Sequence, residues 1–340
     1  MTNPTYRSTA VVQPNGDLEL VDAELREPGL GQVRIAVQAC GVCHSDSEFV
    51  TGHWPGLSFP VTPGHEIAGV IEAIGDGVVA WRPGDRVAIG WGGGYCGYCT
   101  RCRRGDFMYC EQGWVTGASF AGGFAEKVIA PQTALARIPE GLSSVEAAPL
   151  ACAGVTMFNS LRHSGARAGD TVAILGLGGL GHLGVQFAAA LGYRTVVVAR
   201  GQDKAELAHQ LGAHHYIDST SGSVAEQLQQ LGGARVVQAT AANADAMSAA
   251  VDGLALHGEL IALAVVTDSL HVTPLQLVMN SSTVHGHAAG SSQDIEDTMN
   301  FAQLHDIRPM VETMPLDDVA KGYARMMSNN ARFRVVLTVD

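Results

Sequence analysis

The stretch ILGLGGLGHLG, residues 174–184, sets Gly176, Gly178 and Gly181 between an apolar strand-like run and an apolar helical one. The first glycine permits the tight turn. The second lets backbone N–H groups approach a pyrophosphate at the helix N-terminus, and the third lets helix and strand pack closely. Leu177, Gly179 and Leu180 complete the loop. A chain with 41 glycines will produce this spacing by chance in places. The strand before it and the helix after it are what make this one read as a dinucleotide-binding loop in a parallel α/β sheet.

The flanking sequence keeps the same rhythm. TVAILG (171–176), TVVVAR (195–200), VVQAT (236–240) and ELIALAVV (259–266) are short strand-like runs. They alternate with helical stretches: LGHLGVQFAAALG (180–192), DKAELAHQLGA (203–213) and ADAMSAAVDGL (244–254). Such alternation predicts βαβ units. Before about residue 150 the texture differs. VRIAVQACGV, HEIAGVIEAIG and DRVAIG are β-branched segments bounded by Gly, Pro and Asp, and closely spaced strands of this kind predict a partly open barrel. The last run, FRVVLTV (333–339), is expected to return to that first region. The expected class is therefore α/β plus β. An outer domain spans residues 1–153 and 287–340, and a nucleotide-binding domain, 154–286, is inserted between its parts. At 340 residues the chain is long enough for two cores, at roughly 100–200 residues per domain.

Charge excludes some partners. With 33 acidic against 21 basic residues the net charge is −12, which disfavours a nucleic acid or an anionic membrane as partner. The start, MTNPTYRSTA, shows no signal-peptide pattern, and no apolar run reaches transmembrane length. Seven clustered cysteines suit metal ligation in a reducing cytoplasm better than a secreted disulfide framework.

The strand after the glycine loop bears on the coenzyme. An NAD site usually ends this strand with Asp or Glu on the ribose hydroxyls. In VVVARGQDK that place falls to Ala199, followed by Arg200. An arginine attracts a 2′-phosphate that an acid would repel, so NADP is favoured over NAD. The alternative is that Arg200 stacks on the adenine and NAD is used.

YCGYCTRCRRGDFMYC places Cys96, Cys99, Cys102 and Cys110 in fifteen residues, within a lobe at about 92–113. Four thiolates can close a tetrahedral zinc site with no open position, which makes the site structural. The iron–sulfur pattern sets its fourth cysteine after three residues and follows it with Pro; here seven intervene and Glu111 follows. Two disulfides are the remaining alternative. A second set is scattered: Cys43 in QACGVCHSD, His65 and Glu66 in TPGHEIAG, and Cys152 in PLACAGVT. Singly these are ordinary buried residues. Together, two thiolates and an imidazole make a three-ligand zinc site with its fourth position open to water or substrate.

These motifs, with CAGVT and the terminal RFRVVL, resemble the zinc-dependent alcohol dehydrogenases of the medium-chain dehydrogenase/reductase superfamily over nearly the whole chain. The resemblance implies a GroES-like catalytic domain with an inserted Rossmann domain, two zinc ions per chain, and a homodimer or homotetramer. It implies that Cys43, His65 and Cys152 hold the catalytic zinc. Glu66 would be an intermittent ligand, and Asp46 would orient His65. Thr156 would meet the nicotinamide, Lys204 the adenosine ribose, and His44 and Arg334 the pyrophosphate. Backbone near Val265 and Ala288 would receive the carboxamide. Trp54 and Trp91 match positions that line the alcohol pocket, which suggests a primary alcohol or aldehyde, benzylic or cinnamyl ones included. Ser45 would take the alcohol proton. Two departures stand out: Glu48 replaces a histidine common in the proton path, and Ser292 stands where relatives often carry Arg. Competing readings are a polyol dehydrogenase, of a group that commonly has Glu at position 152, or a secondary-alcohol dehydrogenase; a zinc-free quinone or enoyl reductase; and a non-catalytic NADPH-binding protein. Cys40, three residues before Cys43, reads as a small buried residue rather than a ligand or redox partner.

Overall fold

A computed structural model describes residues 4–339. The chain divides into two compact units. One comprises Met1–Cys152, Gly290–Leu304 and Arg308–Asp340; the other comprises Ala153–Ala289 with His305–Ile307.

In the first unit, β1 (Thr5–Ala10) and β2 (Glu19–Glu24) form an antiparallel pair. The main sheet is built around β3 (Gln32–Val42) and β4 (Glu66–Ile74), extended by β5 (Arg86–Ile89), β6 (Lys127–Pro131) and β7 (Ala136–Arg137). In β3 the residues Val33, Ile35 and Val37 are buried in alternation, the two-residue period of a sheet with one face on a core. One edge of β3 is divided between two partners, β6 along Gln32–Ala36 and the C-terminal strand along Ala39–Val42; its other edge pairs with β4. Two register shifts in the β3–β4 ladder, at Arg34/Ile35 and Val37/Ala39, bend the pair. Phe49, Phe124, Ile35, Ile67 and Ile89 are fully buried in the core beneath.

The second unit is a six-stranded sheet of β8 (Thr171–Leu175), β9 (Arg194–Ala199), β10 (His215–Asp218), β11 (Ala234–Ala239), β12 (Leu254–Ala262) and β13 (Thr283–Gly286). All are parallel, in the order β10-β9-β8-β11-β12-β13, so the order reverses between β8 and β11. Ligands bind outside strand ends at such a switch point. The residues of β8 are all buried, as expected for a central strand covered on both faces.

β14 (Val311–Pro315) and β15 (Arg334–Thr338) then rejoin the first sheet, β15 antiparallel to β3, as the run FRVVLTV predicts. The run ELIALAVV differs from expectation. Strand β12 begins earlier and stops at Ala262, because the Leu263 and Ala264 N–H groups both turn to the Ala239 carbonyl. Strands β10 and β13 were not apparent from sequence: HYID and TVHG are short and half polar, with little burial pattern to mark them.

Candidate active site and metal centres

The β3–β4 register creates the first site. Gly41 pairs with Glu66 across the ladder, so the end of β3 and the start of β4 are neighbours, and Cys43 and His65 meet although 22 residues apart. The cross-strand approach is close. A Cβ at residue 41 would lie 1.9 Å from Glu66 Oε2, so only glycine leaves the carboxylate its place. Cys152 arrives by another route. The helix Ser144–Pro149 starts with a capping box, in which Ser143 and Glu146 exchange side-chain and backbone bonds. Pro149 supplies no N–H to the preceding turn, and the backbone continues as a π-turn over Leu150–Gly154 that carries Cys152.

One ligand atom from each of Cys43, His65, Glu66 and Cys152 lies within 4.8 Å of all the others, with His65 Nε2 3.3 Å from Cys152 Sγ. Behind them sits Asp46, wholly buried like His65. Its Oδ1 lies 2.7 Å from His65 Nδ1 and accepts the Gly64 N–H, while Oδ2 accepts the Cys43 N–H at 2.9 Å. A carboxylate on Nδ1 fixes the tautomer that leaves Nε2 to face a cation.

The electrostatics show what the pocket lacks. Burial pushes the Glu66 carboxyl up to about 8, against the pull of Arg334. Burial opposes protonation of His65, yet Asp46 and Cys43 hold its pKa well above the usual imidazole range. Cys43 is held low, first by the Cys152 thiol, while Cys152 is driven up by the same contact and by burial. Both Glu66 oxygens are buried and receive no hydrogen bond. Thiols and carboxyls gathered in a dry space, with the Glu66 carboxylate receiving no hydrogen bond and paired, among the described residues, only with Arg334, are suited to a divalent cation. The donor set fits zinc.

The second cluster is Cys96, Cys99, Cys102 and Cys110, again within 4.8 Å of one another. Backbone N–H groups of Cys96, Cys99, Cys102 and Gln112 point at cluster sulfurs, at 3.3–3.4 Å. Such bonds favour thiolates, and the Cys99 thiol is lowered to about 6, chiefly by the Cys102 N–H. All seven cysteines are free thiols, so the two-disulfide alternative is not formed. The four-sulfur geometry also fits zinc.

Ser45 follows Cys43 in a short turn, half-buried, between exposed His44 and buried Asp46. Trp91 packs edge-on to His65 with ring centroids 5.1 Å apart, stacks on Phe49, and meets Trp54 at 5.2 Å. Arg334, at the start of β15, is buried: Nη1 donates to the Val42 carbonyl and Nη2 lies 3.3 Å from Glu66 Oε1. Its contacts thus include the ligand cluster, which the sequence did not suggest. Cys40 stays outside the cluster, packed where a Cβ on Gly64 or Gly123 would touch its sulfur. Ser292 donates to the Thr133 carbonyl.

In the second unit the three loop glycines differ in what surrounds them. A Cβ on Gly176 (φ 106°) would meet Thr240 at 2.8 Å, and one on Gly181 would strike the Gly176 carbonyl at 1.9 Å. Around Gly178 there is only open space, as a loop approached by a ligand requires. Lys204 Nζ donates to the Leu177 carbonyl. Arg200 is exposed just beyond β9. The turn after it is held from the β10 end, where Asp218 accepts the Gly201 N–H at 2.8 Å and Tyr216 donates to the Gly201 carbonyl. Sequence reasoning missed this pair; the acid in HYID was the available signal. Thr156 is buried on the helix Val155–Arg162, while Val265 and Ala288 are exposed in loops after β12 and β13.

Comparison with known proteins agrees with this geometry. The family described as alcohol dehydrogenase GroES-like domain matches residues 29–140, and zinc-binding dehydrogenase matches residues 179–303. Alcohol dehydrogenase notN of Aspergillus sp. (strain MF297-2) is 39% identical over 99% of this chain and 98% of its own length. An alcohol dehydrogenase of Geobacillus stearothermophilus is 35% identical, covering 98% of this chain and all of its own. The solved structure of a cinnamyl alcohol dehydrogenase from Sorghum bicolor superposes with a TM-score of 0.89 at 28% identity, covering 98% of each chain. Among the described residues, no helix is long and apolar enough to cross a membrane. The chain belongs to the zinc-type medium-chain alcohol dehydrogenases, enzymes that interconvert alcohols and carbonyl compounds with zinc and a nicotinamide coenzyme.

Proposed function

We propose that the chain oxidises primary alcohols and reduces the corresponding aldehydes, aromatic ones included, and prefers NADP. The observation that carries this is the buried set of Cys43, His65 and Cys152 beside the ring of Trp91. Those three residues would hold the catalytic zinc, with Glu66 able to join them, and the four lobe cysteines would hold a second. Bound there, the catalytic ion supplies Lewis acidity toward the alcohol oxygen, and the coenzyme exchanges the hydride.

The chain's own residues have separate tasks. Asp46 orients His65 and ties the Cys43 backbone to the same carboxylate. Ser45 would take the proton of the alcohol and release it toward solvent. Glu48, half-buried one turn later, lies outside that path. Trp54 and Trp91 form an apolar wall that favours an unbranched or aryl substrate; the similarity to a cinnamyl alcohol dehydrogenase supports this choice. Lys204 and Arg200 would flank the adenosine, with Arg200 facing a 2′-phosphate. Thr156, Val265 and Ala288 would meet the nicotinamide end, and His44 and Arg334 the pyrophosphate.

A polyol or secondary-alcohol dehydrogenase is the second reading; Cys rather than Glu at position 152 argues against the polyol form. Seven free thiols suit the cytoplasm, and family habit suggests a homodimer or homotetramer. Metal analysis with NADP and NAD assays on primary, secondary and aryl alcohols tests the proposal. It expects about two zinc ions per chain and turnover of primary alcohols. One ion or none, without turnover, overturns it.

A further inference from the structure

Trp91 borders a second space, on the lobe side of the first unit. A cavity of about 140 Å³ is walled by Trp91, Phe107, Met108, Trp114 and Val115. Its volume is close to the roughly 150 Å³ of an engineered cavity that binds benzene, although this one is partly open to solvent and has a polar edge. No Asp, Glu, Lys, Arg or His lines it, and Cys110, which borders it, belongs to the four-cysteine cluster, so a neutral ligand suits it better than a charged one. Its polar edge comes from Thr133, Ser291 and Ser292. The Ser291 hydroxyl bonds to Asp294, and that of Ser292 donates to the Thr133 carbonyl. Thr133 Oγ1 accepts the Tyr95 N–H, which leaves its O–H to donate. A small side chain at 292 keeps the space open.

We propose that this cavity is a binding site for a neutral, single-ring aromatic molecule carrying one acceptor oxygen, with the ring among the aromatic walls and the oxygen at Thr133. None of Cys43, His65, Glu66, Cys152 and Trp54 lines it, so it is separate from the ligand cluster although Trp91 borders both. Trp91 forms a wall here while its ring also packs on His65, Phe49 and Trp54. The inference does not depend on which alcohol the enzyme uses.

Phenol is a suitable probe, titrated into the full chain by isothermal calorimetry. The expected result is saturable binding in the wild type. Ser292→Leu and Val115→Phe, which fill the cavity from different sides, should each weaken it at least tenfold. Trp54→Ala, at a residue that packs on Trp91 but does not line the cavity, should leave it within about twofold. No saturable binding in the wild type overturns the proposal without recourse to any variant. So does unchanged binding in a filled variant that melts cooperatively, or a loss in Trp54→Ala as large as in the filled variants, which would place phenol in the alcohol pocket.

Discussion

Asp46 Oδ1 lies 2.7 Å from His65 Nδ1 with neither side chain exposed, so the imidazole has one orientation and one tautomer available to it. Replacing Asp46 with Asn keeps the shape and removes the charge. Zinc affinity or turnover is expected to fall about 10–100-fold, the range for partners of metal-bound histidines. Zinc content after dialysis against a chelator, measured beside kcat, checks this, with the proposed lobe zinc as an internal reference.

Gly41→Ala would set a methyl group against Glu66 Oε2. Overpacking of this sort costs about 1–3 kcal/mol. The urea midpoint is expected to fall accordingly, whereas Cys40→Ala, at a residue outside both thiol clusters, should retain zinc. Loss of zinc in Cys40→Ala as complete as in Cys43→Ala would contradict the assignment.

Glu48→Gln is expected to leave the pH dependence of turnover nearly unchanged, because the proposed proton path runs through Ser45 and not through Glu48. A lost basic limb in the kcat profile would put Glu48 in the path.

Arg200→Ala should raise KM for NADP by about ten- to a hundredfold, the equivalent of one charge-assisted hydrogen bond at about 1.5–3 kcal/mol. KM for NAD should change little. Equal effects on both coenzymes would mean that Arg200 stacks on adenine instead.

The pH dependence of stability has a contributor remote from the sites. Glu312 on β14 receives bonds from the Arg325 guanidinium and the Arg332 N–H, and Arg325 chiefly holds its carboxyl below the usual range. A depressed folded-state pKa gives stability present above the ordinary glutamate pKa and lost as pH falls through the depressed value. Glu312→Gln should therefore lower the urea midpoint at neutral pH, and the gap to wild type should narrow in acid. A constant gap would show that the carboxylate's charge is not involved.

What could be read in advance follows from distance along the chain. The lobe cysteines lie within fifteen residues and the glycine loop within six, so spacing alone conveys their chemistry. The βαβ rhythm likewise reports burial strand by strand. The need for glycine at 41 depends on a β3–β4 register set 25 residues away, and Arg334 reaches Glu66 across 268 residues. Nothing local to either residue encodes such a meeting. The pairing of Asp218 with Gly201 was hidden for the same reason: β10 becomes a neighbour of β9 only once the sheet exists.

The pairing of Gly41 with Glu66 also bears on folding errors. Successive residues of a strand face opposite sides, so a slip of one residue between β3 and β4 would move Cys43 away from His65. A chain that zips its central ladder wrongly then has no complete claw for an ion. Metal uptake thereby audits the alignment of the sheet, and misregistered molecules would be left empty and unsecured.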